Sequence, residues 1–561
     1  MTLQSQITGI VLDYKNNNPI ANVNIKSDKI GTSTDTLGRF FIDIPVGRQL
    51  EFSHIGYETK VVSGYDGLEI KLFQNIIKWN QITVKSNLKE EDYGESVASI
   101  TIFENQEIKE SNANHLEYLT NQISNFNWSG GTSRPRYFQI RGLGGNSHYF
   151  GEGPPNFSVG FILDDINLSG MGMLGNTFDI EQIEIHKGPQ SSVFGSNSIA
   201  GLISLRSKPI TDNFESGFSI SLGDDSHKAA KGFQNIKISN FLKVRYIFDY
   251  NYRDGFRNNI LNGMIDSNRK KELFSRLKVE FHPIDQVKIL GTYINANLDN
   301  RYDVWSPDNN EQFETYTDSL GEDSQKTQGF SLRSTIKINE DFNLLFISTR
   351  SNTQLVHAYD GDWANDSYWL DEHQFDPDST GYNYSFYEKN KRSRHNDSQE
   401  LRLSFKNLVT GFYFNNLSEK DDAIGYLFGG LGDQADGRYD FKAYAGYFQI
   451  HHNVAKKLKV MFNYRLEKNM YKYVGNTYDN YYGDDLPLVN YESENTMMGY
   501  KGSLLYDLSD NSNSYFSYAK GFKAGGVNQE PNLNEFERIF DPEFLTNIEI
   551  GIKTIMNNFG Y

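Results

Sequence analysis

Cysteine is absent from all 561 residues, which rules out disulfides and thiolate metal sites alike. Tryptophan is scarce, at five residues, and hydrophobic residues reach only 38%. No stretch approaches the roughly 18 consecutive apolar residues that a membrane-spanning helix needs, so a helical membrane protein is excluded. The 55 Lys and Arg are outnumbered by 72 Asp and Glu, leaving a formal charge of −17. Phosphate contacts require clustered cations, so this balance argues against a nucleic-acid partner. Met1 to Ile10 lacks a basic region followed by an apolar core, the pattern of a secretory signal, and is expected to be a mature or trimmed start. Also missing are a nucleophile elbow, a pair of catalytic carboxylates, a phosphate-cradling loop and a metalloprotease helix, so neither an enzyme nor a cofactor is expected.

Aromatic residues, by contrast, make up 14%, with 35 Tyr and 39 Phe. Low hydropathy with many aromatics suits a sheet that has one apolar face and one wet face. From residue 210 onward the chain repeats strand, long polar loop, strand, short turn. Leu458, Val460, Phe462, Tyr464 and Leu466 alternate with Lys459, Asn463, Arg465 and Glu467, which assigns one set to lipid and the other to water. Short connections are predicted near 239–242, 282–286, 339–342, 406–408, 454–457 and 509–512. Long ones fall near 254–271, 301–328, 359–397, 419–438, 474–495 and 523–541. Short and long in strict alternation place turns at one membrane face and loops at the other. The count is about 14 strands, where plugged outer-membrane barrels have about 22, so roughly eight are expected to be absent and the chain to be incomplete at its C-terminus.

Residues 1–75 read as a small β-sandwich, with strands near 7–13, 23–26, 39–44 and 49–53 between turn signals such as Asn16-Asn17-Asn18-Pro19. Thr8-Gly9-Ile10-Val11, Gly31-Thr32-Ser33-Thr34-Asp35, Gly38-Arg39-Phe40 and Ile55-Gly56-Tyr57 resemble the carboxypeptidase-regulatory-like domain. Residues 96–209 mix one helical segment near 114–120 with short strands and many glycines. Within them stand Phe138-Gln139-Ile140-Arg141-Gly142-Leu143-Gly144, Val159-Gly160-Phe161-Ile162-Leu163-Asp164-Asp165, Ile183-Glu184-Ile185-His186-Lys187-Gly188-Pro189-Gln190 and Phe194-Gly195-Ser196-Asn197-Ser198-Ile199-Ala200-Gly201. In this order the four blocks are similar to the plug signatures of TonB-dependent outer-membrane receptors, with Lys187 where Arg is common.

The resemblance, of the Bacteroidetes type with its N-terminal regulatory-like domain, implies a mainly β fold. Its parts are the sandwich at 1–75, a linker at 76–95, an α+β plug at 96–209 and a partial antiparallel transmembrane β-barrel at 210–561. It implies a Gram-negative outer membrane, and lipid around the barrel. It also implies a partner complex, TonB-ExbB-ExbD, in the inner membrane, and a small extracellular ligand such as an iron chelate (a siderophore) imported by plug displacement. A glycan importer working with a surface lipoprotein, or a non-transporting surface-binding barrel, are the alternatives. Gln81, Ile82, Thr83, Val84, Lys85 and Ser86 look like a TonB box, which acts by adding a strand to its partner's sheet; the six also suit the first strand of the next domain.

Other residues carry expected roles of their own. Arg141 suits a structural pairing with lumen carboxylates, and Gly142, Gly188, Pro189 and Gly195 suit plug turns. His148, Tyr149 and Phe150, with Met171 and Met173, lie in plug loops expected to face the incoming ligand; Tyr359 and Trp363 lie in a long aromatic loop. Asp360, Asp362 and Asp366 are weak Ca²⁺ candidates that lack the full 12-residue loop pattern.

Overall fold

The computed structural model describes residues 6–554 except 15, 28–29, 55–56, 58, 74–82, 85–87, 89–90, 130, 146–155, 172–173, 428–429, 480–483, 486–487, 510–511 and 528–533. The chain divides into two compact units, Met1–Thr83 and Val84–Tyr561.

The first unit is a sandwich of two small sheets. One orders Arg39–Asp43, Gln6–Asp13 and Leu68–Leu72; the other orders Ile30–Ser33, Asn24–Ser27, Gln49–Ser53 and Lys60–Ser63. Alternation decides which side chains meet: Phe40 and Ile42 point inward and Phe41 outward on one strand, Leu50 and Phe52 inward on another.

In the second unit, the plug is built on a mixed five-stranded sheet ordered Ser99–Glu104, Ile180–Lys187, Gly201–Ser207, Val159–Leu163 and Ile166–Asn167. The interior strand Ile180–Lys187 is buried along nearly its whole length, as expected of a strand covered on both faces. A helix at Asn105–Glu110 starts with a reciprocal capping box between Glu104 and Glu107. The segment near 114–120 forms a 3₁₀ helix, Leu116–Gln122.

Fourteen antiparallel strands, from Glu215–Leu222 to Glu543–Thr554, follow one another in chain order around the plug. Polarity is inverted relative to a water-soluble sheet. Asn463, Arg465, Glu467 and Asn469 are buried toward the plug, while Phe462, Leu466 and Met470 on the same strand are exposed. On the last strand Ile548, Ile550 and Ile552 all face outward, the arrangement that lipid stabilises. Short connections stand at Ile284/Val287, Lys337/Phe342, Phe405/Leu408, Ala455/Leu458 and Ser509/Ser512.

Two of the expected long loops are largely strand. Leu408–Leu427 pairs with Gly430–Ala455, and Leu458–Asp479 with Val489–Ser509. At about 3.3 Å per residue these strands outreach an apolar band about 25 Å tall. Polar sequence marks only where a hairpin leaves the lipid, and backbone pairing continues into water.

Phe52 is wholly buried and meets Phe40 edge-on, with ring centroids 5.4 Å apart. Phe52→Ala is therefore expected to cost the first unit about 3–5 kcal/mol. Limited proteolysis of the full chain checks this: cleavage within residues 6–72 should rise steeply while the barrel stays resistant.

Candidate functional site

A lumen lined by a barrel's polar face is a place where ions are held out of bulk water, and each must find a partner. Among the described residues the four largest wholly buried side chains are Arg136, Arg245, Arg276 and Arg465. Two lie on barrel strands facing one plug carboxylate. Arg245 grips Asp179 through two parallel bonds, Nε to Oδ2 at 2.9 Å and Nη2 to Oδ1 at 2.5 Å, and Arg276 donates to the Asp179 carbonyl at 2.9 Å.

Leu163 and Ile166 pair across a two-residue turn in which Asp164 and Asp165 both have positive φ, 46° and 74°. That backbone is the tight hairpin turn that Asp tolerates. It aims the two carboxylates apart. Asp165 takes a bidentate grip from barrel Arg333 at 2.8 and 2.5 Å, and Asp164 accepts from Ser207 N–H at 2.9 Å. Burial raises the Asp164 pKa, but the nearby Lys278 and Arg276 outweigh it and hold the carboxyl below its usual range.

Toward the long-loop end the polarity of the pairs reverses, with plug cations meeting barrel acids. Arg134 donates to both oxygens of Glu272, at 2.9 and 2.8 Å, and also to Glu117 within the plug; Arg136 pairs with Asp323. The plug's apolar core meanwhile continues into the wall through Ile247, Phe274, Ile294, Ala296 and Leu298. Contact between plug and barrel is thus partly apolar.

Arg141, at φ 55°, donates to Glu549 at 2.8 Å and to Asn547 at 3.4 Å on the last strand. Gly142 and Gly188 have positive φ, and Pro189 sits against Gly521. At Gly195, φ 83°, a Cβ would lie 2.7 Å from Glu467 Oε2 and 3.0 Å from Arg465 Nη2, so glycine lets the plug approach that buried pair. Thr83–Val84 is a two-residue strand with Val84 buried; Gln81, Ile82, Lys85 and Ser86 lie outside the described residues. So do His148, Tyr149, Phe150 and Met173.

Met171 is 3% exposed and packs in the plug core with Leu168 and Leu174. Tyr359 donates to Glu388 at 2.9 Å, and Trp363 stacks on Trp305 with centroids 5.7 Å apart. Trp363 sits in a block of three cross-linked loops, in which Asn258–Asn259 pairs with Glu314–Thr315 and Asn365 donates to the Tyr316 carbonyl at 2.7 Å; Tyr359, expected in the loop, lies instead on the barrel strand Phe342–Asp360, opposite Glu388, because backbone pairing runs on past the lipid-facing pattern.

The candidate calcium carboxylates are committed elsewhere. Asp360 accepts from the Ser319 and Trp363 N–H groups, Asp362 from Trp369 Nε1 and Phe386 N–H, and Asp366 from Asn383. No metal-type cluster of acidic or His side chains occurs among the described residues. Arg134, Arg136, Asp164, Asp165 and Asp179 were not singled out from sequence. The available signals were Arg134-Pro135-Arg136 in an acidic chain and the Asp-Asp dipeptide after an apolar strand.

Asp179→Asn keeps the shape at a positive-φ position but leaves Arg245 only the more exposed Glu215, at 3.2 Å, and Arg276 only Asp164, at 4.0 Å, as counter-ions. Loss of one partner from a buried pair costs about 3–5 kcal/mol, and amide exchange in strand Ile180–Lys187 should accelerate accordingly. A pH effect follows from His115, which is buried and accepts the Glu117 N–H at 3.2 Å through Nδ1. Burial, reinforced by Arg134, pulls its pKa down to about 4 from 6.5. As pH falls below 6.5 the unfolded state takes up the proton first, so plug stability is complete above that value. It is lost between 6.5 and about 4, by about 3 kcal/mol in all. His115→Asn retains a capping acceptor without a titrating group; amide exchange of residues 105–122 at pH 7.5 and 5 should then converge.

Comparison with known proteins gives this geometry its family. Residues 93–202 match the TonB-dependent receptor plug domain, residues 285–561 the TonB-dependent receptor-like β-barrel, and residues 7–84 the CarboxypepD_reg-like domain. Stretches of 147 and 156 residues are 24% and 29% identical to the vitamin B12 transporters BtuB of Vibrio vulnificus strains YJ016 and CMCP6. These matches cover 26% and 27% of this chain and span only 24% of each relative's length.

Among solved structures, the ferric yersiniabactin uptake receptor FyuA from Yersinia pestis shares the fold with a TM-score of 0.70 at 15% identity, over 82% of this chain and 70% of that one. The siderophore receptor PiuA from Acinetobacter baumannii does so at 0.64 and 13%, over 83% and 71%. With its stoppered barrel, its lumen of paired charges and both family domains in order, the chain belongs to the TonB-dependent receptors, a family of the Gram-negative outer membrane.

Proposed function

We propose that this receptor binds a small extracellular ligand, an iron chelate, and passes it to the periplasm when its plug is displaced by force from the TonB-ExbB-ExbD complex on residues 81–86. One observation carries the reading: besides its apolar contacts, the plug is held by charge pairs and hydrogen bonds around the lumen, contacts that water can replace when the plug moves. The outer membrane has no ATP, so uphill import there needs force delivered from elsewhere. Iron chelates are favoured because FyuA and PiuA are a ferric yersiniabactin uptake receptor and a siderophore receptor; BtuB transports vitamin B12. Tyr359, at the end of strand Phe342–Asp360, and Trp363, in the loop beyond it, are the ligand contacts assigned to this role.

A second reading, import of an oligosaccharide beneath a surface lipoprotein, draws on the exposed Trp305 and Trp363, since flat indole faces hold sugar rings. Uptake of ⁵⁵Fe-loaded siderophores, radiolabelled cyanocobalamin and oligosaccharides by parent and receptor-deleted cells separates these cargoes. Deleting Gln81–Ser86 should abolish uptake of the active probe and leave its surface binding intact; unchanged uptake contradicts the mechanism.

A further inference from the structure

At the long-loop face charge is handled in the opposite way to the lumen. Residues 302–321 and 361–385 hold eleven Asp and Glu and no Lys or Arg, in a chain whose acids exceed its bases by 17. Among the described residues none of the eleven makes an ion pair within 4 Å, whereas the adjoining Glu322 and Asp323, on strand Glu322–Lys337, pair with Lys389 and Arg136. Arg257, from the neighbouring loop, acts on Asp303 from beyond that distance. The crowding is felt at Asp318: burial, joined by repulsion from Asp362 and Asp366, raises its carboxyl above the usual range.

The two loops form one surface. Asp318 N–H donates to the Ala364 carbonyl at 3.2 Å, and the rings of Tyr316 and Tyr368 lie 4.8 Å apart. Trp305 from one loop and Trp363 from the other stack with their planes 25° apart, yet stay 50% and 38% exposed. Phe313, Leu320 and Leu370 are exposed as well, so apolar surface is interleaved with unpaired acid. Two residues before Trp305, Asp303 is buried and its Oδ1 has no hydrogen-bond partner. Among the described residues no three acidic or His side chains come close enough to chelate an ion, so the surface does not suit a bare metal ion. Open indole faces beside spread negative charge suit an organic cation: the rings attract it at contact and the carboxylates from further away.

We propose that residues 302–321 and 361–385 form a charge-selecting reception surface, which gathers solutes bearing an ammonium or guanidinium group on an apolar body and turns anionic solutes away. The cation lies against Trp305 and Trp363, and the carboxylates around them supply the charge that the loops themselves leave unpaired. The gathering is a property of the free receptor. That the gathered cation is the imported solute rests on the transport reading above, and it narrows that reading to a chelate whose iron complex is positively charged. Screening sets the reach: the Debye length is about 30 Å at 0.01 M salt and about 8 Å at 0.15 M, so the surface draws cations from a distance in dilute medium and from its own neighbourhood at higher salt.

The scarcity of tryptophan gives a direct test. Trp79→Phe with Trp128→Phe leaves indoles only at Trp305, Trp363 and Trp369, all within the two loops. Their fluorescence in the full receptor, held in a non-ionic detergent at neutral pH, is quenched by three nitroxides that share one ring: cationic 4-trimethylammonium-TEMPO, neutral 4-hydroxy-TEMPO and anionic 4-carboxy-TEMPO. The neutral probe measures access alone. In about 0.01 M salt the cation should quench at least about fivefold more efficiently than the anion, and the ratio should fall toward one in about 1 M salt, where charges are screened within about 3 Å. Glu311→Gln, Asp371→Asn, Glu372→Gln and Asp378→Asn together neutralise four exposed acids; they should remove at least half of the preference and leave quenching by the neutral probe unchanged. Each receptor is first shown to retain the heat-sensitive migration of a folded barrel. Equal quenching by cation and anion at low salt, or a preference untouched by the four substitutions, overturns the proposal. The measurement involves neither uptake nor the partner complex, so it can fail while the uptake result for the 81–86 deletion stands, and the reverse.

Discussion

Everything in this molecule depends on the cost of holding an ion in a lumen. A barrel that shows lipid its Phe, Leu and Ile side chains must turn its polar residues inward by the period of the strand, and here that puts Arg245, Arg276, Arg465, Glu467 and Asp323 into a buried space. An unpaired charge in such a place is strongly destabilising. The plug meets the need with opposite charges at matched heights: Asp165 and Asp179 against barrel arginines, Arg134 and Arg136 against barrel carboxylates. Other lumen charges, Arg465 with Glu467 and Arg394 with Glu419, are paired within the barrel itself.

That complementarity also separates two demands that pull in opposite directions. The plug must stay put at rest and yet be movable. Contacts through Ile247, Phe274 and Ile294 continue the plug core into a few neighbouring strands. Elsewhere around the wall smaller apolar contacts, Val193 on Val409 and Val97 on Leu505, stand among discrete joints: Arg333 on Asp165, Arg394 on the Ser169 carbonyl, Ser191 on the Phe522 carbonyl, Arg141 on Glu549. Such joints are directional and strong while aligned, and water can take over each half once they part.

Much of this was legible in the residues. The barrel's short turns read off correctly because six consecutive polar breaks each interrupt a period-two pattern for only a few residues. The loops read less well: 419–438 and 474–495 are polar enough to look irregular, but their strands keep pairing in water, where the lipid-facing pattern no longer applies. A glycine-flanked methionine such as Met171 suggests a loop tip, and only its packing with Leu168 and Leu174 shows the side chain to be buried. Asp164 and Asp165 stood inside a recognised block without being seen as anchors. Their role comes from two positive φ angles, which no spacing rule reports.

The central claim is that opposite charges across the lumen seat the plug. Exchanging one pair tests it most directly, and Arg134 with Glu272 is suitable because both bonds of the fork are well formed, at 2.9 and 2.8 Å. Amide exchange of the plug is measured in the full receptor for Arg134→Glu, for Glu272→Arg and for the two together. Each single reversal should loosen the plug and the double reversal should restore much of its protection. Plug protection unchanged in both single reversals would contradict the account.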